Sequence, residues 1–409
     1  MVTSLRGMPD IYPEETQQRD QLTKIFTNTA FLHGFHRIET PILESLDVFV
    51  RSVGETSDIV SKEMYTLKDK GERDLCLRPE NTAGIIRSIL NNKKSHIENQ
   101  KYFYYGPMFR YERPQKGRLR QFSQLGIEYI NAKSPTADVE SIILANDFIK
   151  NIGITDYTLE LNTLGDEETR KNHKKALVEY LSKHQQNLSK ESQDRLQKNP
   201  LRILDSKDEK DIEICQSAPL LVDFLSKSAQ DFFDRVVNLL NELNIYFNLN
   251  PYLVRGLDYY SHTIFEFKSG DLGSQSTFLA GGRYDKLSQL LGGRVLPSVG
   301  WAAGLERLML ISNLKKEDQI TTLVIPGDES LVSPSLSLVD KIRSRGITSE
   351  VSPSTSFKSG LKYANKNQVN FAVLLGAKEQ ETNTVTWKNL LTGSQHTNTL
   401  EEFIKEIKK

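Results

Sequence analysis

The segment with the most chemical content is Arg110-Tyr111-Glu112-Arg113, a short basic loop, and then Phe122-Ser123-Gln124-Leu125-Gly126-Ile127-Glu128. If both flanks are strands, side chains two apart share a face. Arg110 and Glu112 then point one way, joined on the returning strand by Phe122, Gln124, Gly126 and Glu128, while Leu125 and Ile127 enter the core. The connecting loop, Pro114-Gln115-Lys116-Gly117-Arg118-Leu119-Arg120, carries three cations and suits phosphate. Taken alone, a solvated hairpin is the plainer reading of this segment. Other cationic segments change that balance.

Arg255-Gly256-Leu257-Asp258-Tyr259-Tyr260 places a guanidinium beside two phenols. Residues 299–311 read as a closing helix, with Trp301, Leu305, Leu308 and Met309 as its buried stripe and Gly300, Gly304 and Arg307 on another. Two mid-helix glycines cost about 1 kcal/mol each against alanine, which suggests close approach of another group. Glu80, in Arg78-Pro79-Glu80-Asn81-Thr82, stands at a strand-to-helix junction, with Asn81 or Thr82 as the helix cap. Arg110, Arg118, Arg255 and Arg307 thus lie on four separate segments. Convergent arginines with few acids suit a polyphosphate; Glu80, Glu128 and the two tyrosines suit a small amine- or ring-bearing ligand.

The elements that must position these groups follow from period and punctuation. Residues 14–31 read as an amphipathic helix after Pro13, and residues 35–43 as extended, with Pro41 at a strand edge or a loop entry. A strand at 74–77, a helix through Ile85, Ile86 and Ile89, a helix at 139–149 and a strand at 157–162 follow. Residues 166–245 are rich in charged and amide side chains with apolar residues at helical spacing (Phe232, Val236, Val237, Leu240), and read as a helical insertion. Strands return at 252–268 and before Ala280-Gly281-Gly282-Arg283-Tyr284-Asp285. The charged stretch Lys315-Lys316-Glu317-Asp318 reads as a linker to a third region, 319–409. There, strands at 322–325, 348–351 and 371–375 alternate with helices at 336–345 and around Leu361, implying a small parallel α/β domain closed by a helix at 400–408.

The chain has 409 residues, enough for two or three cores. Lys plus Arg and Asp plus Glu both number 53, which argues against nucleic-acid binding by bulk charge but leaves local basic surfaces open. Cys76 and Cys215 belong to no paired metal motif and suit a reducing, cytoplasmic compartment. No apolar stretch is long enough to span a bilayer, and Met1-Val2-Thr3-Ser4-Leu5-Arg6-Gly7 lacks the apolar core of a secretion signal. No glycine precedes a lysine, so a Walker-type phosphate loop is absent, as is a strand-linked Gly-x-Gly-x-x-Gly.

Three motifs together, Phe109-Arg110-Tyr111-Glu112-Arg113-Pro114-Gln115-Lys116-Gly117-Arg118, Val254-Arg255-Gly256-Leu257-Asp258-Tyr259-Tyr260 and Gly304-Leu305-Glu306-Arg307-Leu308, resemble the bacterial type of histidyl-tRNA synthetase. The likeness runs from Arg6-Gly7-Met8-Pro9-Asp10 to the last region. The first and third motifs indicate a class II synthetase; the 255–260 segment is the histidine-specific signature. The resemblance implies an α+β catalytic domain over 1–318 built on an antiparallel sheet, interrupted by the insertion at 166–245, which touches the tRNA acceptor arm, and an anticodon-binding domain at 319–409. It implies a cytoplasmic homodimer that joins L-histidine to its tRNA with ATP, and Mg2+ accompanying the ATP.

By the same resemblance, Arg110 holds the α-phosphate and the histidine carboxylate, and Arg255 stabilises the α-phosphate during attack. Glu112 meets the adenine amino group, Phe122 stacks on the base, and Arg118 and Arg307 hold the outer phosphates. Glu80, Thr82, Gln124, Glu128, Tyr259, Tyr260 and Tyr284 match the family's histidine pocket. Arg113, Gln115 and Lys116 are candidates for tRNA contact. A neutral imidazole offers one donor and one acceptor, so Glu128 can accept and a tyrosine can donate.

Asn81 departs from the family's usual glycine, and Tyr111 and Ser123 from frequent histidines; a side chain at Asn81 is expected to narrow the amino-acid pocket. Three other functions fit these residues less well. A regulatory paralogue that senses histidine typically lacks the 255–260 segment or the last domain, both present here. A threonine or proline synthetase does not suit the Tyr259-Tyr260 pair. An RNA-binding module has no need of the arginine set.

Overall fold

The computed structural model describes residues 2–54, 57, 59–273, 276–314 and 321–408; the linker lies outside them. The chain divides after Leu314 into two compact units.

The first unit is built on an eight-stranded sheet. Its spatial order is His36–Arg37, Gln100–Phe109, Gln121–Ile130, Val299–Gly304, Thr277–Arg283, Ser261–Lys268, Thr158–Thr163 and Asn248–Leu249. The interior pairings are antiparallel and the two outermost are parallel. Alternation along Gln121–Ile130 divides the faces as its pattern requires. Leu125 and Ile127 are buried with Phe103, Phe148 and Trp301, under helices Pro13–Leu32, Pro135–Asn151 and Lys227–Glu242. Each such aliphatic side chain contributes roughly 1.5–3 kcal/mol. The opposite face packs Tyr104, Met108, Tyr259, Tyr260 and Tyr284 with residues of helices Leu46–Val53 and Thr82–Asn91. Tyr259, Tyr260 and Tyr284, three of the candidate site residues, belong to this second face.

Four local expectations change. Residues 299–311 are not one helix: Val299–Gly304 is a strand between Gln121–Ile130 and Thr277–Arg283, and only Leu305–Ile311 is helical. The first hairpin strand stops at Phe109, so Arg110 and Glu112 stand on the connection rather than in the ladder. Residues 252–260 are irregular, and the strand expected over 252–268 covers Ser261–Lys268. Neither Asn81 nor Thr82 caps the following helix through its side chain. The Glu80 carboxylate does so, accepting from the backbone N–H groups of Thr82 at 2.7 Å and Ala83 at 3.0 Å. Pro41 lies in the connection between His36–Arg37 and Leu43–Ser45.

The helices Glu167–Lys183, Lys190–Lys198 and Glu209–Cys215 share a small core of their own around Leu177, Leu181, Leu196 and Ile203. Phe233, Val236 and Leu240 of Lys227–Glu242 join the main core instead. A buried ion pair locks the sheet to its helical cover: the Arg283 guanidinium meets Asp138 and also donates to the Ala132 carbonyl at 2.8 Å.

The second unit carries a five-stranded sheet in the order Thr348–Val351, Thr321–Pro326, Phe371–Leu375, Val385–Asn389 and Gln395–Asn398. The first three strands are parallel, as the alternation implied, but the last two are antiparallel additions the pattern did not reveal. Helices Val332–Arg343, Phe357–Lys366 and Leu400–Ile407 flank it.

Candidate active site

A cavity of about 810 Å³ opens over the second face of the large sheet, and Arg110, Arg118, Arg255 and Arg307 all line it, with Glu112, Phe122 and Gln124. A smaller pocket of about 150 Å³ continues from it, sharing Arg110, Gln124 and Arg255 and adding Glu80, Thr82, Tyr259, Tyr260 and Tyr284. A volume fit for a nucleotide therefore adjoins one fit for a single side chain.

Each arginine is held by its own neighbourhood. Arg110 Nε donates to the Pro79 carbonyl at 2.9 Å, tying the hairpin to the Glu80 turn, and its guanidinium lies 5.3 Å from the Phe122 ring centroid. Arg118 bonds Glu112 at 3.0 Å. Arg307 Nε donates to the Thr277 carbonyl at 2.9 Å. Gly117, at φ +72°, lets the hairpin loop pack against Leu310 and Arg307, which brings Arg118 and Arg307 to one wall. Burial and the Arg118 charge lower the Arg307 pKa. Arg255 is paired with Glu266, whose second oxygen accepts from Thr277 at 2.7 Å.

The expectation of few acids does not hold. Glu112, Glu266 and Glu306 also line the cavity. Glu112 holds Arg118, Glu266 holds Arg255, and Glu306 accepts from Ser123 N at 3.0 Å and pairs with Arg19. Glu112 and Glu266 thus fix the orientation of two guanidinium groups in the cavity wall, a preorganising role. Glu266 and Glu306 were missed in sequence. The available signal was a glutamate set among apolar residues, in Ile264-Phe265-Glu266-Phe267 and Leu305-Glu306-Arg307-Leu308.

Glu128 is buried behind the wall of the small pocket rather than in its lining, bonded to two residues, Thr82 and Tyr284, that do line it. Thr82 Oγ1 donates to one carboxylate oxygen at 2.7 Å and the Tyr284 hydroxyl donates to the other. Burial pushes the Glu128 pKa up to about 8, with the neighbouring Glu80 adding to the shift and the two hydroxyl donors opposing it. Burial also raises Glu80, against its two backbone N–H donors. The Tyr259 and Tyr260 rings lie 4.7 Å apart, and Tyr259 meets Tyr284 edge-on at 5.8 Å. Gln124 Oε1 and Arg255 Nε are buried without a hydrogen-bond partner among the described residues. An acceptor and a donor left unpaired in the walls of a pocket fit a polar ligand that supplies both.

The departures from the family pattern are accommodated. Asn81 turns away from the pocket: its Oδ1 accepts from Thr40 Oγ1 at 2.6 Å and from Arg78 at 3.1 Å, so it does not narrow the site. Tyr111 packs on Tyr65 and under the Arg120 guanidinium, and Ser123 meets Arg19. Arg113, Gln115 and Lys116 are exposed on the hairpin tip.

A family model described as histidyl-tRNA synthetase matches residues 7–308. The chain belongs to the histidyl-tRNA synthetase family. A second model, an anticodon binding domain, matches residues 321–409. The chain is 44% identical to a histidine–tRNA ligase of Rhodospirillum rubrum, across 98% of both chains. A histidine–tRNA ligase of a Cyanothece species is 43% identical over 96% of this chain and 93% of its own length. Among solved structures, apo S. aureus histidyl-tRNA synthetase superposes with a TM-score of 0.84 at 31% identity, covering 100% of each chain. The mixed architecture, an antiparallel sheet flanked by helices plus a separate α/β unit, is that of this family.

Proposed function

We propose that the chain is an ATP-dependent histidine–tRNA ligase: it condenses L-histidine with ATP to histidyl-adenylate and pyrophosphate, then transfers histidine to the 3′ end of its tRNA. Family membership over nearly the whole length supports the activity. The observation that carries the substrate choice is the junction of the two cavities, where Arg110 and Arg255 line both. A carboxylate held in the small pocket and an α-phosphate held in the large one would meet between these two guanidinium groups.

In the first step the histidine carboxylate attacks the α-phosphorus in line and the bond to the β-phosphate oxygen breaks. Charge grows on the non-bridging oxygens, which fixed guanidinium groups stabilise without reorganising. Arg110 and Arg255 would take that role. Arg118 and Arg307 would hold the leaving pyrophosphate, Glu112 the adenine amino group and Phe122 the face of the base. Glu80, Thr82 and Gln124 offer acceptors for the amino group. Glu128 accepts from one ring nitrogen and a tyrosine hydroxyl donates to the other, so an isostere lacking either function leaves a buried partner unpaired. In the second step the tRNA's terminal ribose hydroxyl attacks the acyl carbon and AMP leaves.

Mg2+ would enter on the ATP phosphates as part of the substrate. Among the described residues no cluster of three His, Cys, Asp or Glu could cage a metal ion, which suits an ion that binds mainly through phosphate oxygens and water. Exposed Arg113, Gln115 and Lys116 at the hairpin tip would meet the tRNA. The unit matching the anticodon-binding model would read the other end of it. The three-stranded sheet Leu43–Ser45, Asp74–Leu77 and Tyr65–Lys68 turns Leu43, Leu67, Leu75, Leu77 and Tyr65 to one side, with Leu43 42% and Leu67 44% exposed. That partly uncovered apolar face supports a homodimer, checked by light scattering on the eluting protein. Two buried thiols and the lack, among the described residues, of a helix fit to cross a membrane suit a cytoplasmic enzyme.

Exchange of pyrophosphate into ATP, run with histidine and with each other amino acid, tests the activity. Exchange with histidine alone is expected. No exchange, or equal exchange with a different amino acid, rejects the reading.

A further inference from the structure

Residues 255–260, which bring Arg255, Tyr259 and Tyr260 to the site, belong to neither helix nor strand. Among the described residues no backbone–backbone hydrogen bond ties residues 254–260 to the rest of the chain. The Arg255 guanidinium is paired with Glu266 of the neighbouring strand, and further polar anchors of the segment come from the helical region that follows Thr163. Arg202 donates to the Gly256 carbonyl, and its Nε stands 3.9 Å from Asp258 Oδ1. Asn199 Nδ2 donates to the same carboxylate oxygen at 2.8 Å. Arg170, on the helix Glu167–Lys183, donates to the Tyr260 carbonyl at 3.0 Å.

The other side of Asp258 is also engaged. A β-carbon built on Gly54 would lie 2.9 Å from its Oδ2, so the carboxylate is wedged between the turn after helix Leu46–Val53 and the short helical turn Pro200–Asp205 with its flanking Asn199. The packing here is open. A hollow of about 260 Å³ lies along the junction, with Arg170, Lys174, Lys198 and Arg202 in its wall beside Asp258. The two tyrosines are packed in the core, and the directed hydrogen bonds to the Gly256 and Tyr260 carbonyls and to Asp258 hold the less closely packed turn between Arg255 and those rings.

We infer that Arg170, Asn199 and Arg202 are positioning residues for adenylate formation, acting through Asp258 and the Gly256 and Tyr260 carbonyls to set where the Arg255 guanidinium and the tyrosine rings stand. The inference rests on the proposed ligase activity. Asn199 and Asp258 line the hollow but neither of the two substrate cavities, so they act on the reaction only through this segment. Displacing reacting groups by about 1 Å costs up to about 100-fold in rate. The region 166–245 thus helps to set the geometry of the histidine site without lining it. Any shift of Pro200–Asp205 relative to the sheet pulls on the chain that carries Arg255.

The test is a double-mutant cycle read by histidine-dependent pyrophosphate exchange in the full-length protein. Asn199→Ala and Asp258→Ala are each expected to raise the histidine KM and lower kcat, about tenfold or more in kcat/KM, with the ATP KM changed less than about twofold. The double variant should be no worse than the more damaged single one, as coupling requires. Asp258→Asn keeps an acceptor oxygen for Asn199 and should recover most of the lost kcat/KM. Active-site titration normalises each rate to folded enzyme, so a loss of protein alone leaves the constants unchanged. Wild-type constants in both single variants overturn the inference, as do losses that multiply in the double variant. Absence of exchange in the wild type would instead reject the ligase reading itself.

Discussion

Gly300 sits opposite Glu128 across the pairing of Val299–Gly304 with Gln121–Ile130, and a β-carbon on it would overlap both the Glu128 carboxylate and the Ile127 carbonyl. The glycine's missing side chain is the space the carboxylate occupies. Gly300→Ala must therefore displace Glu128 or spread two central strands. Overpacking of this kind costs typically about 1–3 kcal/mol. A lowered melting temperature and loss of histidine-dependent exchange are expected. An alanine variant with wild-type exchange would show that Glu128 can stand elsewhere without harm.

Glu128 also makes stability depend on pH. Burial raises its folded pKa to about 8, whereas an exposed glutamate in the unfolded chain titrates near about 4.3. Between those values the native state retains a proton that the unfolded chain has released. Stability contributed by this group is complete below the lower value and falls as pH rises through the upper one, by at most about 1.4 kcal/mol per pH unit. Glu128→Gln removes the titration. The variant should gain stability relative to wild type between pH 5 and pH 8, as roughly set by those limits, and lose histidine binding. Urea midpoints for both proteins across that range check it, and parallel profiles would refute the buried titration.

Arg255 and Arg307 should separate in kinetics. Arg255→Ala removes a guanidinium between the two cavities and should lower kcat for exchange by at least about 100-fold. Fold and assembly should survive, because Glu266 keeps Thr277 at 2.7 Å and Lys268 at 3.5 Å. Arg307→Ala should mainly raise the ATP KM, with the histidine KM little changed. Near wild-type adenylate formation by the Arg255 variant would remove its assigned role.

The Asp138–Arg283 pair has almost no solvent exposure, and Arg283 makes further bonds to the Ala132 and Ser134 carbonyls. Asp138→Ala leaves that guanidinium with Asp285 at 3.2 Å as a remaining carboxylate, and should destabilise by less than the roughly 3–5 kcal/mol expected of a buried charge left wholly unpaired. Replacing both residues by apolar ones of similar volume should cost much less. Thermal melts of the single and double variants distinguish these outcomes.

Periodicity and residue type carried a large part of the architecture. Alternation along residues 121–128 separated Leu125 and Ile127 from Gln124 and Glu128, because a strand has one core face and one free face. In the second unit the strands at Thr348–Val351 and Phe371–Leu375 match the expected ranges. The likeness of three motifs to one family supplied the chemistry attached to those residues.

Tertiary structure decided what depends on partners distant in sequence. The six residues 299–304 satisfy either helical or extended spacing; two neighbouring strands made them a strand. Glu80 rather than Asn81 satisfies the helix N–H groups because Arg78 and Thr40 claim the asparagine. The glutamates that orient Arg118 and Arg255 are six and eleven residues away in the chain and become partners only when loop and sheet close. A sequence states which groups are available at each position. Which of them meet is set by pairing and packing over long separations, where local spacing holds no information.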